Sequence, residues 1–357
     1  MSTTETTSVQ AIIWQSPVLK LLDQRQLPHK QEWIECKTVT QVIDAIRAMV
    51  VRGAPAIGIA AAYGVVLAAQ THQDFPLAQA QRLLAQDIEL LAQARPTAVN
   101  LMWALAQMRK VSSMNLDVSA VNESLEWVSQ LEQKAKEMHQ ADYADNVHMA
   151  ELGAQWLADY VPQGKKILTH CNTGALATAG HGTALGVIRT AFQKKLISGV
   201  YVDETRPWLQ GTRLTAWELQ QEKIPFEVVV DSAAASILRQ GQVSCVIVGA
   251  DRIAKNGDVV NKIGTYALAI AARYHNIKFM VVAPTSTLDL QLNSGMEIPI
   301  ETRAGTEILS WRGEKLAPEH AQAHNPVFDM TPAELIDVII TEKGIIENPA
   351  QSGIRIL

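Results

Sequence analysis

The sequence predicts a two-part α/β protein: a mainly helical N-terminal domain with a small sheet, then a C-terminal domain on a doubly wound parallel sheet. Up to about residue 150, apolar residues recur at three- and four-residue spacing in one segment after another, the pattern of amphipathic and buried helices. Beyond Val161-Pro162-Gln163-Gly164, short apolar runs rich in β-formers alternate with helical stretches. That alternation marks parallel strands buried on both faces and joined by helical crossovers.

The elements follow in order. Residues 12–14 and 18–22 are expected to form a small sheet ending at Pro28. Helices are expected over residues 42–50, 57–69, 77–92, 98–108 and 124–149, with Gln- and Glu-rich faces between them as solvated surface. Strands are expected over 166–170, 199–203, 226–230, 243–249 and 278–282, with helices over 175–192, 212–221, 232–239 and 262–274. The expected domains are residues 1–150 and 151–357. The weakly polar stretch 53–69 contains Pro55 and is rich in Gly and Ala, which suits a close-packed buried helix rather than a membrane span.

Composition narrows the function classes. Lys and Arg together number 31 against 36 Asp and Glu, with no basic run, which argues against a nucleic-acid binder held by phosphate contacts. A small-molecule partner is expected, with no membrane association. The N-terminus has no cationic start followed by an apolar core, so it does not read as a signal peptide. Three scattered cysteines, Cys36, Cys171 and Cys245, make neither a disulfide framework nor a zinc knuckle, and at least one free thiol points to a reducing cytoplasm.

Ligands of an open parallel sheet bind beyond the carboxyl ends of its strands. Those positions hold Cys171-Asn172-Thr173-Gly174, then Glu204-Thr205-Arg206-Pro207 running on to Gln210-Gly211, then Gly249-Ala250-Asp251-Arg252. None is a dinucleotide or P-loop fingerprint, so no nicotinamide cofactor and no nucleotide hydrolysis is expected. Cys171 is expected where a helix begins, and a helix N-terminus favours the thiolate, fitting it as base or nucleophile. It is equally readable as a small buried packing residue. Asp251 follows an apolar run, where desolvation pushes a carboxyl group up towards a proton-donating range. Its structural alternatives are a helix N-cap or a salt bridge with Arg252. What favours chemistry is that Cys171 leaves the same end of the same sheet.

Anion-binding parts are also present. Arg52-Gly53-Ala54-Pro55 precedes a Gly/Ala-rich helix, Asn261-Lys262 is expected to open another, and Arg95 stands before Pro96-Thr97. The histidines lack metal-ligand spacing, so no zinc or iron site is expected, and His170 reads as a satisfied core histidine. Trp208 and Trp217 read as packing residues.

Taken together, these segments resemble the methylthioribose-1-phosphate isomerase family. The resemblance runs from Leu22-Asp23-Gln24 through Arg52-Gly53-Ala54-Pro55-Ala56-Ile57-Gly58, Arg95-Pro96-Thr97-Ala98-Val99-Asn100-Leu101 and Thr169-His170-Cys171-Asn172-Thr173-Gly174. It continues through Glu204-Thr205-Arg206-Pro207 with Gln210-Gly211, Val248-Gly249-Ala250-Asp251-Arg252-Ile253, Asn261-Lys262-Ile263-Gly264 and Pro284-Thr285-Ser286-Thr287 to Phe328-Asp329. Lys255 and Thr302 are small departures outside the site residues. The resemblance implies a Rossmann-like C-terminal domain, a homodimer and a cofactor-free aldose–ketose isomerase of methionine salvage acting on a sugar phosphate. It also implies Cys171 and Asp251 as the catalytic pair, with Arg52, Gly53, Ala54, Arg95, Gln210, Asn261 and Lys262 holding substrate. Gln210 is singled out by the resemblance alone. The wider family includes ribose-1,5-bisphosphate isomerase and non-enzymatic regulatory subunits of the translation-initiation guanine-exchange factor, the two alternative readings.

Overall fold

The computed structural model describes residues 9–95, 98–113, 123–311 and 313–354. The chain divides into two compact units, one of residues 1–147 with 173–182 and the other of residues 148–172 with 183–357.

In the first unit, β1 (Ile12–Gln15), β2 (Val18–Leu22) and β3 (Trp33–Cys36) form an antiparallel sheet with Leu19 in the centre, opposite Trp14 and Cys36. The third strand was not expected, because Trp33–Cys36 is only four residues long and set in the polar run from Lys30 to Lys37. Helices α1 (Val39–Arg47), α2 (Ala54–His72), α3 (Leu77–Ala92) and α4 (Val99–Ser112) follow. Every residue of α2 from Ala56 to Ala69 is buried. It is long and apolar enough to cross a membrane by length and composition, but 78% of its most apolar window is buried within the structure. Small residues make this possible: a Cβ on Gly58 would lie 2.9 Å from the Asn100 carbonyl oxygen, so α2 and α4 approach backbone to backbone. Helix α5 (Glu123–Tyr160) runs eleven residues past its expected end at Met149, adding Trp156 and Leu157 to the core of the second unit.

The second unit is built on a seven-stranded sheet. Its parallel strands, in chain order, are β4 (Lys166–Thr169), β5 (Gly199–Asp203), β6 (Phe226–Val229), β7 (Val243–Val248), then β10 (Lys278–Val282) and β15 (Val338–Thr341). Between the last three lie β8 (Arg252–Ala254), β9 (Val259–Lys262), β11 (Leu288–Asp289), the hairpin β12 (Ser310–Trp311) and β13 (Glu314–Lys315), and β14 (Phe328–Thr331). An antiparallel edge strand, β16 (Gly344–Glu347), closes the sheet, whose order is β16-β15-β10-β7-β4-β5-β6. The chain therefore winds outwards in both directions from the β4/β7 pair, the doubly wound arrangement expected. β15 and β16 lie beyond the last strand expected from the sequence, although Val338-Ile339-Ile340 carries the signal of a buried strand.

Alternate residues of each strand feed two cores. Ile167, Cys245, Ile247, Met280, Val282, Val338 and Ile340 point to one face, covered by the end of α5, α6 (Ala184–Gln193) and α7 (Ala216–Gln221). Leu168, Val246, Val248, Phe279, Val281 and Ile339 point to the other, covered by α8 (Ala234–Arg239) and α9 (Thr265–Tyr274). A second sheet, β11-β8-β9-β14, follows β7; the short helix α10 (Thr306–Leu309) lies in the connection before β12, and α11 (Pro349–Ser352) follows β16.

Two expected helices are corrected. Residues 175–192 form a 3₁₀ turn, Ala175–Ala177, and then α6, because Gly180, His181 and Gly182 take positive φ values of 144°, 64° and 88° that break the helix between them. Residues 262–274 start as strand: Asn261 and Lys262 end β9, and α9 begins only after Gly264 at φ 105°.

Asp258 organises the turn between β8 and β9. Its carboxylate accepts hydrogen bonds from the Asn256 amide (2.7 Å), the Ser294 hydroxyl (3.2 Å) and the backbone N–H groups of Gly295 and Ala333 (both 3.0 Å). Burial alone would push this carboxyl up, but the four donors outweigh it and hold it below the usual aspartate range. Asp258→Asn is expected to cost about 2 kcal/mol at neutral pH, as one charge-assisted set of bonds weakens. A depressed folded-state pKa stabilises above the unfolded value of about 3.9 and ceases to as pH falls through the folded value. Urea denaturation of both proteins at pH 7 and below pH 4 should show the gap shrinking in acid.

Candidate active site

Cys171 is buried two residues past the end of β4, in the left-handed region at φ 66°. No α-helix begins there, which corrects the expected helix-dipole support: the chain goes on to a single 3₁₀ turn at Ala175–Ala177. Two threonines hold the cysteine instead. Its N–H donates to the Thr205 hydroxyl at 2.8 Å, and its carbonyl accepts from the Thr215 hydroxyl at 2.6 Å. Thr205, itself at φ 63°, donates to the Asp203 carbonyl at 2.9 Å, and the Thr205 and Arg206 N–H groups are capped by the Asp231 carboxylate at 2.7 and 2.8 Å. The next residue, Asn172, donates to buried Glu218 at 2.8 Å, and the Arg189 guanidinium lies between Glu218 and Glu222.

Gln210 precedes a π-helical turn, Gly211–Thr215, that leads directly into α7. Such turns recur at functional sites because they displace a side chain from its helical path. A Cβ on Gly211 would collide with the Asp203 carbonyl oxygen, so the turn packs against the end of β5. The Gln210 side chain is buried, and its carbonyl oxygen has no hydrogen-bond partner among the described residues. A buried unpaired amide oxygen is an acceptor awaiting a donor.

Asp251 leaves the end of β7, the strand beside β4, and its N–H donates to the Val260 carbonyl at 2.9 Å. A strand, β8, follows it, so it is not a helix N-cap, and Arg252 pairs with Asp289 at 3.6 Å. Asn261 and Lys262 are both buried. Asn261 donates to the Thr265 hydroxyl at 3.0 Å, and the Lys262 ammonium donates to the Val327 carbonyl at 2.7 Å while lying 4.1 Å from the Phe328 ring centroid. Asp329 caps the start of α9 from outside, accepting from the N–H groups of Gly264 and Tyr266. Cys171, Gln210, Asp251, Asn261 and Lys262 thus all belong to the second unit.

Arg52, Gly53, Ala54 and Arg95 belong to the first. Gly53, at φ 91°, caps α2 with Pro55 in its first turn, leaving the free N–H groups of a helix N-terminus. A Cβ on Gly53 would lie 2.5 Å from the Ala177 carbonyl oxygen. The segment containing Ala177 is further pinned by Gln24 donating to Leu176 O, Asp142 accepting from Ala179 N and His139 donating to Ala179 O. Burial lowers the proton affinity of the His139 ring despite its bond to the Ala179 carbonyl, and its other ring nitrogen lies 3.1 Å from the Tyr63 hydroxyl. Arg95 is half-buried ahead of α4.

One cluster was not expected. His170, Asp203 and Asp231 offer ligand atoms within 4.8 Å of one another, brought together from the ends of three strands and so invisible as a spacing. Its geometry is that of a hydrogen-bonded pair. Nδ1 of His170 lies 2.9 Å from Asp203, Nε2 donates to the Ile263 carbonyl at 2.9 Å, and both Asp231 oxygens are taken by backbone donors. His170 is the satisfied core histidine expected.

The profile of the Initiation factor 2 subunit family matches residues 50–348. A methylthioribose-1-phosphate isomerase of Thioalkalivibrio sulfidiphilus is 53% identical over 353 residues, covering 98% of this chain and 97% of its own length. The chain belongs to the methylthioribose-1-phosphate isomerase family. A family member from Pseudomonas aeruginosa is 52% identical over 344 residues, covering 96% of this chain and 93% of its own. Among solved structures, 5-methylthioribose 1-phosphate isomerase from Pyrococcus horikoshii superposes with a TM-score of 0.87 at 38% identity, covering 97% of this chain and 95% of that one. A translation initiation factor eIF-2B delta subunit from A. fulgidus gives 0.84 at 38% identity, covering 97% and 98%.

In this isomerase-family chain, Gly53 tests the first unit. Gly53→Ala meets both a positive φ and the Ala177 backbone and is expected to cost about 2 kcal/mol or more, against about 1 kcal/mol for Gly164→Ala, where φ is 79° and the space is open. Equal losses in chemical denaturation would remove the close approach as the constraint.

Proposed function

We propose that the chain is the aldose–ketose isomerase that converts 5-methylthioribose 1-phosphate into 5-methylthioribulose 1-phosphate in methionine salvage, with Cys171 and Asp251 as its catalytic pair. The observation that carries the residue assignment is that these two leave the carboxyl ends of neighbouring strands, β4 and β7, on either side of the point where the sheet reverses its winding. Arg52, Gly53, Ala54, Arg95, Gln210, Asn261 and Lys262 hold the substrate, cationic side chains and helix-terminal N–H groups taking its phosphate and the Gln210 carbonyl accepting from a sugar hydroxyl. No cofactor or metal takes part. The enzyme works as a cytoplasmic homodimer; three buried free thiols suit a reducing compartment. Exposed Tyr266, Ile270 and Tyr274 along one side of α9 supply an apolar stripe of the kind subunit contacts cover.

The substrate sets the chemistry. With phosphate on the anomeric carbon, the ring does not open as a free sugar does, and an acid must protonate the ring oxygen. Protonated Asp251 supplies that proton, the bond from C1 to the ring oxygen breaks, and C1 becomes oxocarbenium-like. In the proton route, the Cys171 thiolate takes hydrogen from C2 as a proton, leaving an enol phosphate, and returns it at C1 while the Asp251 carboxylate recovers the proton of the C2 hydroxyl. In the hydride route, hydrogen moves from C2 to C1 with its electron pair and Asp251 again takes the hydroxyl proton. Either path needs a dry pocket, since water captures the C1 cation.

Purified protein is expected to turn over the methylthio sugar phosphate faster than ribose 1,5-bisphosphate and to keep its activity after exhaustive chelation. No turnover would leave the regulatory-subunit reading, which the likeness to the A. fulgidus subunit favours. Cys171→Ser and Asp251→Asn should lower kcat by about three orders of magnitude or more at near wild-type melting temperature. Arg95→Ala and Lys262→Ala should raise KM more than they lower kcat. Turnover in heavy water separates the routes: deuterium at C1 supports proton transfer through Cys171, and its absence supports the hydride shift.

A further inference from the structure

We propose that His170 is a positioning residue of the isomerase, a buried joint that holds the Cys171 loop and the Asn261–Lys262 strand end in one frame; this rests on the reading of those residues as the site. The ring is buried and both of its nitrogens are spent on internal partners, Asp203 and the Ile263 carbonyl, which leaves it neither donor nor acceptor to offer a substrate. Its Nδ1 is joined to Asp203 at 2.9 Å, and Asp203 carries, through its own carbonyl, the Thr205 hydroxyl that receives the Cys171 N–H. Its Nε2 donates at 2.9 Å to the carbonyl of Ile263, the residue after Lys262. The fit is close. A Cβ on Gly264 would come within 3.0 Å of the ring, so the backbone at 263–264 seats directly on the imidazole, and Gly264 takes φ 105° to do so. One side chain thus touches both segments, and it is covalently next to the cysteine. Burial works against a charge on the ring, but the bond to Asp203 outweighs it and holds His170 above the ordinary histidine range, keeping a proton in the bridge.

Asparagine places its amide nitrogen where Nδ1 lies, and glutamine places its own where Nε2 lies, so the two joints can be cut separately in the full-length protein. His170→Asn keeps the Asp203 bond and frees the Ile263 carbonyl; it is expected to raise KM about tenfold with a smaller change in kcat. His170→Gln keeps the Ile263 bond and frees Asp203; it is expected to lower kcat about a hundredfold with KM within about twofold of wild type. From the other side of the bridge, Asp203→Asn should preserve turnover where Asp203→Ala loses it, which keeps the test open if a histidine variant fails to fold. A merely structural histidine predicts that kcat and KM stay at wild-type values in every variant that remains folded, or that both histidine variants lose activity alike in step with melting temperature. Either result overturns the proposal. Cys171→Ser is the control: if it loses turnover while the His170 and Asp203 variants behave as wild type, the positioning role alone falls, and if it retains full turnover, the site reading falls and takes the positioning role with it.

Discussion

A cysteine held in a left-handed backbone conformation is the constraint from which the second unit's loops follow. For a residue with a Cβ this geometry costs roughly 1–2 kcal/mol, and it persists only where the surroundings over-determine it. Here they do: Thr205 takes the Cys171 N–H, Thr215 takes its carbonyl, and Thr205 is itself at φ 63° under the Asp231 carboxylate. Leu209, at φ 56°, continues the strain to the π-helical turn. Three positive-φ residues without a glycine among them, each tied by hydrogen bonds, describe a backbone shaped for its contents rather than for stability.

Polar burial around that loop has the same character. Arg189, Glu218 and Asn172 are almost completely enclosed, and charges taken out of water are repaid only if every donor and acceptor is matched. Asn172 uses one Glu218 oxygen, while Arg189 draws on Glu218 and Glu222 together. An apolar trio of the same volume would pack there at no desolvation cost. What the polar set adds is direction, since each hydrogen bond admits one orientation of its neighbour and the chain leaving Cys171 is fixed with it.

Much of this was legible in the sequence. The strands at 166–170, 199–203, 243–249 and 278–282 and the helix through 57–69 announced themselves because burial on both faces leaves no ambiguity of period. Cys171 and Asp251 stood out because they follow such strands. What stayed hidden was long-range or local in the wrong way. Thr205 and Thr215 look like any loop or helix threonines until the fold brings them, across 34 and 44 residues of sequence, onto the cysteine they bind. Asn261-Lys262 were read as a helix start, since the Ala- and Leu-rich run that ends at Tyr274 was carried back across Gly264 to Lys262; the left-handed Gly264 delays that start by three residues and turns the pair into a strand end. Gln210 had no signal of its own, because a π-helical turn differs from an α-helix by one residue that no composition marks.

Gln210 also marks how this sheet differs from one built to hold a dinucleotide. A dinucleotide-binding sheet spends the turn after its first strand on glycines that let a pyrophosphate approach the backbone. Here that turn is spent on Cys171, whose N–H is already committed to the Thr205 hydroxyl, and the N–H groups of Thr205 and Arg206 in the turn after the second strand are committed to Asp231. Among the described residues, the buried acceptors left open at this end of the sheet are the amide oxygen of Gln210 and Oδ1 of Asp203, and only the first is neutral. A neutral acceptor in a water-poor pocket is paired by a hydroxyl and penalised by a hydrocarbon. In the proposed reading, charge recognition falls to cations, hydroxyl recognition falls to the unpaired Gln210 amide oxygen, and the carboxyl ends of the neighbouring strands β4 and β7 present Cys171 and Asp251, the groups that move hydrogen.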